Sequence, residues 1–548
     1  MRFGVNLFGS TVEFTKDKEG FLKKISELGY RYVEPCISFI DAPGLREHAW
    51  SLTELKENYD LLKKYGLKIN SVHVFSADIK NDAAALADLA GEYDIKQFIC
   101  PLMVKEQTKE AYEGLIPVLS SVSDTLKEAG AELLLHNSEN ESKARIEGVS
   151  AYEWVLHKLK GKAYAQPDVG WLYAGGTDPE EFLWRNEDQI RSLHYKDFKK
   201  TGDTFTEVAI GTGDIDMMAA FQFARYAEVI QISDQDSAAT TMLADLESTA
   251  GKFRMLSQGR DNSKSTLCIM DADTGKITEL KTFDGVIEAP NWYQQNDNYL
   301  YYNSNGLIYR YDISAGTSTA LDSGKCTNCN NDHVLSADGK SIAVSHSDSG
   351  WQSQVYIFPI EGGEPRLITE NFPSFLHGWS PDGKELAYCA FRGDMSKGSF
   401  SVDIYAIPAE GGKEYPLTKD AGFNDGPEYS PDGKKILFIS TRTGLMQNWV
   451  MDRDGSNQTQ LTFSERNNWF GHYSPDGKRI VYLSYSKEGL DPNEHLPNMK
   501  VQLRMMDADG KNDKIILEFF GGQGSINVNS WAPDSKRFAF VKYELIHK

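Results

Sequence analysis

The sequence is poor in cysteine, in long apolar runs and in positive charge, and each shortage excludes something. Six cysteines stand in 548 residues, at Cys36, Cys100, Cys268, Cys326, Cys329 and Cys389. They are too sparse for the disulfide framework of a small secreted domain. Only Cys326-Thr-Asn-Cys329 has metal-ligand spacing, and no second pair of Cys or His at zinc-finger spacing follows it, so no structural zinc is expected there. No uninterrupted apolar run reaches the roughly 18 residues that a membrane-spanning helix needs. The opening Met1-Arg-Phe-Gly-Val-Asn-Leu-Phe8 alternates like a strand and lacks the long apolar core of an export signal, so a soluble, cytoplasmic protein with no membrane partner is expected. Lys and Arg number 58 against 79 Asp and Glu, a formal net charge of -21, which argues against nucleic acid as a partner.

What is present divides into two halves, as the length alone requires, because one hydrophobic core rarely organises a chain of this size. Up to about residue 257, short apolar runs alternate with amphipathic stretches of helical length, the pattern of parallel strands joined by crossover helices. Strands are read at Phe3–Phe8, Tyr32–Cys36, Ile69–Val74, Gln97–Leu102, Glu132–His136, Ala163–Val169, Ser192–Tyr195 and Glu228–Ile232. A last helix is read over Thr240–Leu256. Eight such units predict an α/β (β/α)8 TIM barrel over residues 1–257, with its chemistry at the carboxyl ends of the strands. Residues 258–263 read as a linker, because Gly259, Asp261 and Asn262 follow the last helix without an apolar anchor.

From residue 264 to 548 a repeat of roughly 40 to 60 residues takes over. Its marker reads Ser336-Ala-Asp-Gly-Lys340, Ser380-Pro-Asp-Gly-Lys384, Ser430-Pro-Asp-Gly-Lys434, Ser474-Pro-Asp-Gly-Lys478 and Ala532-Pro-Asp-Ser-Lys536, with a degenerate first copy at Gln295-Asn-Asp-Asn298. Pro presets one turn dihedral and Gly accepts a positive φ, so each marker is a tight turn between strands. Four strands per unit and six units predict an all-β six-bladed propeller. The half opens with an outer strand pair, Thr266–Asp271 and Lys276–Leu280, and ends with an inner pair, Asn527–Trp531 and Arg537–Tyr543. The ring is therefore expected to close by joining its two ends. With segments such as Asn467-Asn-Trp-Phe470 and Gly521-Gly-Gln-Gly524, the repeats resemble those of the translocation protein TolB and TolB-like propellers. A protein or glycan ligand at the propeller is the partner this suggests. His333, His377 and His472 lie just before marker serines, near the start of inner strands, with Asp425 and Glu428 close by. Some TolB-like propellers, oligogalacturonate lyases among them, hold a metal with such histidines; blade packing is the alternative role.

The carboxyl ends of barrel strands five to eight carry Leu135-His-Asn-Ser-Glu-Asn-Glu141, Gln166-Pro-Asp-Val-Gly-Trp171, Leu193-His-Tyr-Lys-Asp197 and Ile232-Ser-Asp-Gln-Asp236. Together with Gly211-Thr-Gly-Asp-Ile-Asp216, they resemble the sugar phosphate isomerase/epimerase family of xylose isomerase-like barrels, inosose dehydratases included. The resemblance implies one divalent cation held by Glu141, Asp168, His194 and Asp234. It implies catalytic roles for Glu141, Asp234 and His73, and substrate contacts for Glu34, His136, Trp171 and Lys196. Two positions depart from the pattern: Asp234 stands where Glu is usual, leaving Asp236 as an alternative fourth ligand, and Ser138 replaces a second His. Three carboxylates and an imidazole suit Mn²⁺ first, then Mg²⁺, Co²⁺ or Zn²⁺. A cation that chelates the carbonyl and adjacent hydroxyl of a ketose lowers the cost of an enediolate, and flanking carboxylates can remove and return the proton. The expected activity is isomerisation or epimerisation of a keto-sugar or related polyol. The same enediolate can expel a β-leaving group, so a lyase or dehydratase on a 3-keto sugar or glycoside is the alternative. A non-catalytic barrel serving as scaffold for a binding propeller is a third. A lone carboxylate at a strand end also commonly caps a helix.

Overall fold

The computed structural model describes residues 3–546 except 41–43, 46, 103, 237–240, 259–262, 395–396, 398, 420–421 and 488–489. The chain forms two compact units, residues 1–259 and 260–546. Residues 259–262 of the expected linker and Thr240, the expected start of the last helix, lie outside the described residues.

In the first unit, strands run over Phe3–Asn6, Tyr32–Glu34 with Cys36–Ser38 (together the second), Ser71–Phe75, Gln97–Pro101, Glu132–His136, Tyr164–Gln166, Ser192–Tyr195 and Ile230–Ser233, numbered one to eight below. They are covered on both faces, which is why Leu133, Leu134 and Leu135 are all fully buried. Every neighbour pair is parallel, as in Gly4 with Tyr32, Cys36 with His73, His136 with Gln166 and His194 with Ile232. Bridges at Ala165–Ile190 and Asp168–His194 join the sixth strand to the seventh, and Gly4 with Ile232 joins the eighth to the first, so the barrel is closed. Pro35 has no amide hydrogen and splits the second strand: Tyr32–Glu34 pairs with the first strand and Cys36–Ser38 with the third. Helices such as Leu52–Lys64, Lys109–Glu128 and Met242–Gln258 cover the outside. Their starts are capped by side chains, Ser51 exchanging bonds with Glu54 and Thr108 accepting from Ala111. Two antiparallel hairpins were not anticipated, Asp197–Thr201 with Thr204–Val208 after the seventh strand and the short pair Arg145–Ile146 with Val149–Ser150.

The second unit is a six-bladed propeller. Five blades have four antiparallel strands in chain order, beginning at Glu288, Cys329, Ser374, Asn424 and Arg466. The markers make the turns as read: Ser380 Oγ donates to Asp382 Oδ1 at 2.7 Å, and Asp382 Oδ1 accepts from Lys384 N at 3.1 Å. The closing blade draws on both ends of the unit. Ser263–Asp271 lies between Ile277–Asp284 and Arg537–Leu545, paired with the latter from Ser263–Leu545 through Asp271–Arg537. That continuous ladder leaves no open sheet edge at the junction. The expected inner strand at Asn527–Trp531 does not form a ladder and meets its neighbour through a single bridge, Trp531–Phe538. Its side-chain bonds reach two other blades: Asn529 Nδ2 donates to Glu428 Oε1 at 2.9 Å in the blade beginning at Asn424 and to Tyr473 O at 2.8 Å in the blade beginning at Arg466. Among the described residues of both units, no helix is long and apolar enough to cross a membrane.

Candidate functional site

Barrel register carries chemistry to one end of the first unit. Glu34 precedes the break in the second strand, His73 lies in the third, His136 ends the fifth and His194 lies in the seventh. Asp234 follows the eighth strand directly, and Asp168 follows the sixth after Pro167. The pairings of Cys36 with His73, His136 with Gln166 and Asp168 with His194 set these positions at one level. The three imidazoles pack on one another, with ring centres 4.8 to 5.1 Å apart. His136, Asp168, His194 and Asp234 bring one ligand atom each to within 4.8 Å of all the others, and His73, His136 and His194 do the same.

Electrostatics divides the cluster into satisfied and unsatisfied groups. Glu34, fully buried, accepts from His194 Nε2 at 2.7 Å, Asn6 Nδ2 at 2.9 Å, Ser71 Oγ at 2.5 Å and Gln166 Nε2 at 2.8 Å. Burial works to raise its pKa, yet His194 and His73 hold it well below the usual carboxylate range. His194 places its other nitrogen 3.1 Å from Asp234 Oδ2. Burial works against its charge, but Glu34 and Asp234 raise it to about 10. Lys196, 1% exposed, reaches Asp236 at 2.5 Å and Asp234 at 3.4 Å, and its ammonium lies 5.5 Å from the centre of the Trp171 ring. Against the effect of burial, Lys196 and His194 hold Asp234 ionised well below the usual range. The two remaining groups are unfilled. His136 is kept neutral by burial and by the charges of His194 and His73, and its Nδ1 is buried without a hydrogen-bond partner. Asp168 caps the helix Val169–Ala174, its Oδ1 accepting from Trp171 N at 2.9 Å, while its buried Oδ2 has no partner. Burial raises the Asp168 carboxyl to about 8.

The residues expected at this site are thus brought together with one exception. Glu141 does not join the cluster. It is the third residue of a short helix that starts after Ser138, and its Oε2 is engaged by the Ser138 amide at 3.1 Å and by the Ser138 hydroxyl. That capping box satisfies the helix start locally, and His136 from the fifth strand reaches the cluster in its place. Asp236 is not among the converging atoms; it pairs with Lys196. Trp171 packs on Phe198 at 4.9 Å beside Lys196. The Gly211–Asp216 segment holds Asp197, whose Oδ2 accepts from Gly211 N at 2.9 Å and Gly213 N at 2.8 Å. Sequence reasoning passed over Gln166, which bridges His73 at 2.8 Å to Glu34, and Ser71. The alternation of strand three and the Gln166-Pro-Asp168 segment were the signals available for them.

The propeller histidines do not assemble a comparable group. His472 uses both nitrogens, 2.6 Å from Glu428 Oε2 and 2.9 Å from Ile526 O. His377 faces Asp425 at 3.1 Å and Asp332 at 3.8 Å. His333 is fully buried, which lowers its pKa to about 4. Among the described residues, the metal-capable groups of three or more both lie in the barrel.

Comparisons with known proteins follow the same division. The profile of the TolB β-propeller domain matches residues 353–494. An uncharacterized protein of Agrobacterium fabrum is 41% identical over 290 residues, which make up 53% of this chain and 96% of that one. A solved structure described as TolB from Agrobacterium tumefaciens is 40% identical and covers 52% of this chain and 99% of its own, with a TM-score of 0.48. The barrel half is similar to a sugar phosphate isomerase/epimerase from Parabacteroides distasonis, 17% identical over 45% of this chain and 92% of that one, TM-score 0.39. A xylose isomerase-like TIM barrel protein from Mycobacterium smegmatis in complex with magnesium is 15% identical over 46% of this chain and 96% of its own, TM-score 0.36. With a relative of which it spans 96% at 41% identity, the C-terminal half of the chain belongs to the family of TolB-type β-propellers, fused here behind a TIM barrel.

Proposed function

We propose that the barrel is a divalent-metal-dependent isomerase or epimerase of a keto-sugar or related polyol. One observation carries the reading: His136 Nδ1 and Asp168 Oδ2, buried and without partners, lie in the group completed by His194 and Asp234. Unpartnered buried polar atoms cost about 1–3 kcal/mol each, so finding one on each of two residues of the group argues for a ligand there. Two imidazoles and two carboxylates suit Mn²⁺ or a comparable ion. When bound, such a cation would polarise the carbonyl and neighbouring hydroxyl of a ketose and lower the cost of the enediolate.

The surrounding residues have separable tasks. Glu34 is saturated with hydrogen bonds and fixes the rings of His194 and His73, so its role is positioning. Asp234, held ionised beside Lys196, is the carboxylate available to accept a substrate proton. The Lys196 ammonium would donate to a substrate oxygen, with Trp171 as an apolar wall beside it, a reading supported by the 5.5 Å between that ammonium and the ring.

A second enzymatic reading has its own support. Inversion at a carbon uses a base on each side, and Glu141, the expected second base, is occupied at its helix start. Elimination from a 3-keto sugar or glycoside needs one base, which Asp234 supplies. Metal-loaded protein incubated with candidate sugars in D₂O tests both. Solvent deuterium at the carbon next to the carbonyl, without loss of water or aglycone, supports isomerisation; an eliminated product supports the lyase. If neither appears across keto-sugars and polyols, the barrel is a scaffold and the enzymatic proposal fails.

A further inference from the structure

We infer that Gln166 is a positioning residue that, with Glu34, holds the His73 ring with its proton on Nε2, so that His73 offers a bare Nδ1 to accept a hydrogen bond from one hydroxyl of the substrate. The ring proton is fixed by hydrogen bonds inside the barrel. The hydroxyl as donor rests on the keto-sugar reading above.

Donors and acceptors around Glu34 fit together in one way. The Phe8 amide can only donate, and it meets Asn6 Oδ1 at 2.8 Å, so Asn6 turns its Nδ2 to Glu34 Oε1 at 2.9 Å. Ser71 Oγ donates to Glu34 Oε2 at 2.5 Å. Gln166 Nε2 lies 2.8 Å from the same oxygen. Reversing that amide would set its oxygen against a carboxylate oxygen, acceptor against acceptor. Gln166 Oε1 is thereby turned to His73 and lies 2.8 Å from Nε2. Glu34 Oε1 stands 3.1 Å from the same ring nitrogen. Both neighbours of Nε2 accept, so Nε2 carries hydrogen, and the neutral form of the ring has its lone pair on Nδ1.

The place of His73 gives that lone pair a use. One ligand atom each of His73, His136 and His194 lies within 4.8 Å of the other two, so His73 stands beside the candidate ion position. Its ring packs on His194 with centres 5.1 Å apart and planes 23° from parallel. His194 also meets Glu34 Oε1 through Nε2, at 2.7 Å, and has Nδ1 3.1 Å from Asp234, so one carboxylate orders both rings in the same sense. An imidazole that offers a lone pair accepts from a hydroxyl and gains nothing from an ether or carbonyl oxygen. With His73 only 6% exposed, a sugar lacking the matching hydroxyl would leave that acceptor unpaired, and sites of this kind reject such analogues strongly. Gln166 is fully buried and stands two residues before Asp168, so a single short segment carries both a candidate ligand and the amide that orients His73.

Full-length protein labelled with ¹⁵N in its histidines tests the ring proton directly, because protonated and bare imidazole nitrogens differ widely in ¹⁵N shift; the signal lost in His73→Asn assigns the residue. The wild type should show His73 protonated at Nε2 and bare at Nδ1. Gln166→Met, similar in size but unable to hold the ring, should shift His73 toward a mixture of tautomers. A wild-type ring protonated at Nδ1, or at both nitrogens, overturns the inference whether or not a variant folds, and so does an unchanged His73 signal in Gln166→Met. The second arm uses whichever keto-sugar exchanges deuterium in D₂O, with its single-deoxy analogues. One analogue should lose about a hundredfold or more in kcat/KM with the wild type and about threefold or less with His73→Phe, where the acceptor is already gone. Equal losses in both proteins for every analogue would overturn the hydroxyl contact. If no sugar reacts, the keto-sugar reading fails and the hydroxyl contact with it, whereas the ¹⁵N spectrum alone still decides the role of Gln166.

Discussion

Histidines and carboxylates converge twice in this chain, at the carboxyl ends of the barrel strands and along the inner strands of the propeller. The two places differ in what is left over. In the barrel, His136 Nδ1 and Asp168 Oδ2 remain buried without partners beside a fully bonded Glu34. In the propeller, His472 has both nitrogens bonded and His377 sits between two carboxylates that neutralise it, while the two unpartnered nitrogens of His333 belong, among the described residues, to no group of three or more ligand-type side chains. Ligand-type residues near one another are therefore weak grounds for a metal site. Unfilled buried atoms on residues of one ligand-capable group are stronger, because leaving them unfilled is costly.

Metal content is the direct way to break that contrast, and the largest effect is expected there. Elemental analysis of purified protein should find about one divalent cation per chain, and Asp168→Asn and His136→Ala should abolish it. His377→Ala and His472→Ala should leave it unchanged, since neither belongs to the barrel group. Glu141→Gln should also retain metal, because that carboxylate serves its own helix. Glu34→Gln should weaken affinity by roughly 10–100-fold, the usual effect of removing an outer partner of a ligating histidine. Loss of metal in Glu141→Gln alone would restore the ligand set suggested by the sequence and overturn the one built here.

Those variants also locate the limit of what the sequence shows. All eight barrel strands were legible because burial on both faces makes each a near-continuous apolar run, and the propeller was legible through its turn markers. At the site, Asp168, His194 and Asp234 could be read from their order along successive strands. Glu141 stands apart from the group, and Ser138-Glu-Asn-Glu141 carries the spacing of the capping box it forms, a local signal beside the family pattern. The hairpin at 197–208 escaped because barrel topology does not require it. The chain at 527–531 alternates like a strand, but Asn529 is held by side-chain bonds to two other blades, which no local pattern records. The role of His136 depends on which atoms remain unbonded after folding, and that is a three-dimensional property.

A second, smaller effect sharpens the comparison from the propeller side. Burial works to lower the His377 pKa from its ordinary 6.5, but Asp332 and Asp425 raise it to about 9. Because the folded-state value is the higher one, the stabilisation is complete below about pH 6.5 and is lost as pH rises through about 9. Linkage bounds the change at about 3 kcal/mol, shared with Asp425 rather than added to it. Asp332, raised to about 6, acts in the same direction at lower pH, its contribution fading as pH rises from about 4 to 6. Denaturant midpoints of the propeller transition should therefore fall between pH 6.5 and 9, and His377→Gln should flatten that slope. A wild-type midpoint constant across this window would mean that the histidine is not held as an ion pair.

The smallest effect separates backbone conformation from side-chain chemistry in the two units. In the barrel, a Cβ on Gly170 would lie 2.8 Å from Lys196 O, so Gly170→Ala pushes directly on a residue of the candidate site and should disturb metal binding as well as stability. In the propeller, Gly383 takes φ +73° in its marker turn, and nothing lies within 4 Å of where its Cβ would stand. Alanine there meets no obstacle, so its cost is that of the left-handed conformation alone, about 1–2 kcal/mol. The sixth marker shows that the fold tolerates this cost once, because Ser535 adopts φ +59° in the corresponding turn. Gly383→Ala should therefore lower the propeller's unfolding free energy by about 1 kcal/mol and leave barrel metal content untouched. A loss well above 2 kcal/mol would show that the turn has a packing role that the open space around Gly383 does not reveal.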